Sequence, residues 1–171
     1  MRQPLLVVAA AAALSSCGAF VKGEPPVCPE VVILADAARL TQFAGAGRTP
    51  ADIEVEAEIV GYKGECRRVK NGVELTLAVL MDARRGKADT DGVVDVSYFV
   101  AMPDHYPDPR AKAVFGSRIA FPGTAGTVAF DDAPVTVTVP VAPGETAAGK
   151  EIYLGFQLSD EQLRHNRDKA R

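Results

Sequence analysis

The chain holds two histidines, and His105 is the one with other potential ligands beside it. In Pro103-Asp104-His105-Tyr106-Pro107-Asp108, the side chains of Asp104, His105 and Asp108 offer a metal one imidazole and two carboxylates, which are suitable donor types. A polar, proline-rich turn has the same composition, and that is the preferred reading, so no metal site is assigned. His165 lies in a charged stretch near the C-terminus and is expected in solvent. Asp89-Thr90-Asp91-Gly92 followed by Asp95 is similar to the opening of a calcium loop. The twelfth position of that pattern falls on Val100, which has no side-chain oxygen. A turn with Asp-Gly at its tip accounts for these residues instead.

Nucleophilic catalysis finds less support. Beyond residue 17 the serines are Ser97, Ser117 and Ser159, and none stands in Gly-x-Ser-x-Gly. Gly45-Ala46-Gly47 and Gly123-Thr124-Ala125-Gly126 lack the lysine of a phosphate loop and read as turns. Glu54, Glu56 and Glu58 make an acidic stripe on one strand face, whereas glycoside hydrolysis needs two carboxylates facing each other across a cleft. The stripe reads as a solvated face. The expectation is a chain that is not an enzyme and carries no cofactor.

The elements that position these residues are mostly strands. Glu30 to Leu34 reads as a first strand, and Ala35 to Phe43 as a short helix with Leu40 and Phe43 inward. From Asp52 the period becomes two: Ile53, Val55, Ala57 and Ile59 alternate with acids, giving a half-buried strand. Gly61, Gly64 and Cys66 mark a bend or bulge before the strand reaches Val69. Asn71-Gly72 then signals a tight hairpin, with Val73, Leu75, Leu77, Val79 and Met81 on the inner face of the return strand. Val93 to Met102 looks apolar on both faces, as a central strand would. Lys112 to Phe121 is a strand interrupted by Gly116, and Pro122 to Asp132 a turn region. Val135 to Val141 and Ile152 to Leu158 alternate cleanly. Ser159-Asp160-Glu161-Gln162 has the form of a capping box for a short helix from Asp160 to about Lys169. About seven strands joined by Gly/Pro-rich turns predict an all-β fold: an antiparallel β-sandwich with a short C-terminal helix, with a barrel as the alternative. The layout resembles immunoglobulin-like or fibronectin III-like domains in architecture alone.

The N-terminus carries a different kind of signal. Met1-Arg2-Gln3-Pro4 has one positive charge and no acid, and Leu5 to Leu14 is an unbroken apolar run. As a helix that run rises only about 15 Å, roughly half of a bilayer's hydrocarbon core, so it fits a signal peptide better than a membrane span. Leu14-Ser15-Ser16-Cys17-Gly18 follows and resembles the bacterial lipobox. The resemblance implies cleavage after Ser16, lipidation of Cys17 and a lipid-anchored mature chain. Gly18 in place of aspartate implies the outer membrane of a Gram-negative cell. The chain then divides into a signal peptide (1–16), a lipidated tether (17–29) and a sandwich domain (30–171). With Cys17 assigned to lipid, Cys28 and Cys66 are left as a pair in an oxidising compartment, where a disulfide is the default. A redox or metal role for the pair lacks a C-x-x-C spacing and a nearby histidine. The run CPEVVILADAARLTQF through GYKGECR also resembles an uncharacterised group of proteobacterial lipoproteins, which implies no activity.

Composition narrows the partners. A net charge of −3 leaves no basic surplus to neutralise phosphates, which argues against nucleic acid. Tryptophan is absent, so no large stacking platform is offered. The expected function is that of a non-catalytic envelope protein, structural or protein-interacting, held to membrane lipid through Cys17 and meeting an envelope protein of unknown identity. The acidic strand, the loop around Tyr106 and the cations Arg67, Arg68 and Lys70 are its candidate contact surfaces. The alternative is a periplasmic carrier of a small ligand or metal using the His105 loop. Copper handlers cluster methionines and histidines, whereas Met81 and Met102 read as strand residues.

Overall fold

A computed structural model describes residues 26–169. In chain order its strands are β1 (Glu30–Ile33), β2 (Arg39–Phe43), β3 (Ile53–Val69), β4 (Gly72–Arg85), β5 (Val93–Ala101), β6 (Lys112–Ala120), β7 (Thr127–Asp131), β8 (Val135–Pro140) and β9 (Glu151–Phe156), followed by helix α1 (Asp160–Lys169). They form two sheets. One has the order β1-β9-β5-β6; in the other, β2, β3 and β4 lie side by side, and β7 and β8 pair with successive halves of β4. Every pair is antiparallel except β1 with β9, which run parallel with Glu30 opposite Glu151.

The core is the product of period-two alternation. Val55, Ala57 and Ile59 of β3 and Val73, Leu75, Leu77, Val79 and Met81 of β4 are buried. All but Val73 share one core with Val94, Val96, Tyr98 and Val100 of β5 and Ile152, Leu154 and Phe156 of β9 across the sandwich. The bend expected near Gly61 is a bulge between Ile59 and Gly61, where the β3–β4 register shifts. At the far end of this hairpin Val69 closes on Gly72, so the tip is Lys70-Asn71, one residue earlier than the Asn-Gly signal suggests. Gly72 has φ +153°, and a Cβ there would lie 2.1 Å from the Val139 carbonyl oxygen, so close approach of β8 demands glycine. The capping box forms in both directions: Ser159 Oγ accepts from Gln162 N–H (3.2 Å) and Gln162 Oε1 from Ser159 N–H (2.8 Å).

Four expectations are corrected. Residues 35–43 are not a helix but a 3-10 turn (Ala35–Ala37) and β2, because the edge of β3 supplies backbone partners that a nine-residue helix would forgo. Residues 122–132 are not only turn. They contain β7, whose Val128 and Phe130 rest on the core. Gly116 does not interrupt β6, since it pairs in register with Ser97. β5 is central, between β9 and β6, yet it is buried on one face only, with Val93, Asp95 and Ser97 exposed.

Candidate functional site

β5 is joined to β6 by residues 102–111, which carry two 3-10 turns, Pro103–His105 and Pro109–Ala111. A proline opens each turn and fixes its φ. Met102 N–H donates to Ala111 O (2.7 Å) and Ala111 N–H to Asp108 O (2.8 Å), which closes the loop on itself. Asp108 caps the second turn: its Oδ1 accepts from Arg110 N–H (2.8 Å) and Nε (3.1 Å), and its Oδ2 from Nη2 (2.7 Å). The Arg110 guanidinium and backbone N–H hold the Asp108 carboxyl at about 2.

Between this loop and β8 lies a groove of about 500 Å³. Val100 of β5, Met102 just beyond it and Ala113 of β6 wall it on one side, and Val137 and Pro140 of β8 on the other, with Asn71 at the hairpin tip. His105 lines it, and its Nε2 is buried without a hydrogen-bond partner. A concave, mostly apolar surface that also carries Asn71, Thr136 and Thr138 can hold a small molecule with a polar group or two. It contains no nucleophile and base in contact. Asp104 is exposed and Asp108 is taken up by Arg110, so Asp104, His105 and Asp108 do not converge, in keeping with the reading of this loop as a polar turn. Among the described residues no three His, Cys, Asp or Glu side chains are placed to share a metal ion. Met102 lies in the groove rather than in a strand, immediately after β5.

The remaining candidates are tied into the scaffold. Asp89 Oδ1 accepts from the amides of Asp91 (3.3 Å) and Gly92 (3.1 Å). Its Oδ2 sits 2.6 Å from Arg85 Nε, an ion-pair contact whose angles fall short of a hydrogen bond. Burial alone would raise this carboxyl, but the two amides and Arg85 together hold it below its ordinary value. Asp91 caps Val93 N–H, and Asp95 pairs with Arg118. The oxygens that resemble a calcium loop are thus turned to backbone and arginine. The acidic stripe is likewise engaged: Gln42 donates to Glu54, while Arg84 and Lys169 flank Glu56 and Arg39 meets Glu58 as ion pairs. Ser159 caps α1, Ser97 is exposed, and Ser117 Oγ donates to Asp132 Oδ1 at 2.9 Å. Burial first, and then that same Asp132 carboxylate, raises the Tyr98 phenol. Sequence reasoning missed Asp132, because nothing local shows that the residue after β7 reaches across to β6.

His165 is corrected. It is half-buried, edge-on to Phe43 with centroids 5.8 Å apart, because α1 lies over β2. Arg67 is paired with Glu74, whereas Arg68 and Lys70 have no carboxylate within ion-pair distance among the described residues. Cys28 and Cys66 form a disulfide with Cα atoms 5.7 Å apart. It joins the segment ahead of β1 in one sheet to β3 in the other. Cys17, the expected lipidation site, lies outside the described residues. No helix among the described residues is long and apolar enough to cross a membrane. Comparison with protein-family models, with curated proteins and with solved structures finds no match to this chain.

Proposed function

We propose that the chain is a lipid-anchored, non-catalytic cell-envelope protein that faces the periplasm from the outer membrane. Its sandwich, akin in layout to immunoglobulin-like and fibronectin III-like domains, serves a structural or protein-interaction role. One observation carries this reading: two of the three cysteines are joined to each other, leaving Cys17 of the lipobox-like stretch for a thioether. A disulfide of this kind persists in oxidising compartments, which agrees with export. The ion pairs that hold Glu56, Glu58, Arg67, Asp89, Asp95 and Asp108 support a scaffold. Membrane lipid and an envelope protein are the partners this implies. Growth of the native organism with an alkyne-tagged fatty acid tests it. The wild-type chain takes up the tag and Cys17→Ser does not; an untagged wild type overturns the proposal.

The groove beside His105 favours a second reading, a periplasmic small-ligand or metal carrier. Titration calorimetry of the full chain with zinc, copper and calcium tests the metal form of this second reading. The first reading expects no stoichiometric heat, whereas tight binding abolished in His105→Ala places the carrier first.

A further inference from the structure

Four segments meet at the end of the sandwich where the described chain begins. Glu30 N–H donates to Lys150 O (2.9 Å), which sets the start of β1 beside the start of β9. β5 runs antiparallel to β9, so its exit and the 102–111 loop lie at that same end. Val141 N–H reaches Asn71 O (3.4 Å), bringing the β3–β4 tip to the segment that leads into β9. The Cys28–Cys66 bond then fixes the incoming chain to β3 a few residues from that tip.

This end differs from the rest of the molecule in two ways. In segments 26–30, 64–74, 102–112 and 141–151, Lys and Arg number six against seven Asp and Glu; over the other described residues they fall ten to fourteen. An anionic surface therefore repels this end less than the rest of the domain. Its most exposed large apolar side chain is Tyr106, 83% exposed on a loop stiffened by Pro103, Pro107 and Pro109. A tyrosine ring with an apolar body and a polar tip suits the headgroup layer of a bilayer. From Cys17 to Cys28 the chain spans at most about 40 Å, so an acyl anchor limits how far this end can stand from the lipid.

We infer that the sandwich stands end-on against the phospholipid surface that holds it, with Tyr106 in the headgroup layer and Arg68 and Lys70 beside it. This rests on the anchored reading above and adds an orientation to it. The β2–β3 and β7 faces are then left to the periplasm for a protein partner.

The chain has no tryptophan, so one introduced indole reports its own surroundings. The full acylated chain bearing Tyr106→Trp is reconstituted into vesicles of phosphatidylethanolamine and phosphatidylglycerol with a brominated lipid. The expected result is a blue-shifted emission and the loss of most of its intensity, while Val93→Trp, at the opposite end of β5, keeps both unchanged. Equal quenching of the two, or none at Tyr106→Trp, overturns the orientation while leaving the anchor standing. A purified chain whose mass shows no acyl groups removes the anchored reading and the orientation with it.

Discussion

The Cys28→Ala/Cys66→Ala double variant will lose about 4 kcal/mol of stability, the chain-entropy value for releasing a loop of this length. The bond closes 38 residues and ties β3 to the segment ahead of β1, so its loss frees two elements that belong to different sheets. At roughly 3 °C per kcal/mol for a domain of this size, the midpoint of thermal unfolding drops by about 12 °C. Reductant will lower the wild type by the same amount and leave the variant unmoved. Coincident melting curves for all four samples would show that the bridge contributes nothing.

Asp89→Ala has the second large effect. The side chain is 1% exposed and its Arg85 partner 24%, so truncation strands a guanidinium that is largely out of water and strips two amides of their acceptor. Breaking a buried pair in this way costs about 3 kcal/mol, readable as a lowered midpoint in urea. Asp89→Asn keeps an acceptor for the amides, loses the charge and falls between. The pH dependence follows in sign from the lowered carboxyl. As pH falls the unfolded chain takes up its proton first, near its ordinary value of about 4. The contribution of Asp89 is therefore complete above that pH and is lost below it. Asp52, Asp95, Asp108 and Glu161, lowered first of all by their hydrogen bonds to Thr49, Arg118, Arg110 and Arg48, act in the same direction from the surface. Wild type should melt progressively earlier from pH 4 to pH 2, and Asp89→Ala with a shallower slope. Parallel slopes would contradict the role given to Asp89.

What was legible in the sequence is what short-range pattern decides. Alternation along 53–59 and 73–81 gave the central hairpin its inner face, and Ser159 with Gln162 gave α1 its start. The cysteines could be paired because two remain once Cys17 is set aside. Where long-range pairing decides, local pattern failed. Residues 39–43 have the composition of a short helix and become strand because β3 lies open beside them. Val128 and Phe130 look like part of a turn until β4 is there to receive them. The groove was half-legible: His105 stood out by residue type, but its far wall comes from β8 and its floor from the end of β5. No spacing in the sequence announces that meeting. The parallel β1–β9 pair joins residues more than a hundred positions apart and leaves no local mark.

The mass of the mature chain isolated from its own cells tests the account most directly. Acylation through Cys17 predicts the loss of residues 1–16, three acyl chains on the new N-terminal cysteine, and Cys28 and Cys66 joined. A chain that begins at any other residue, or that carries a free thiol and an unmodified amine at Cys17, contradicts it.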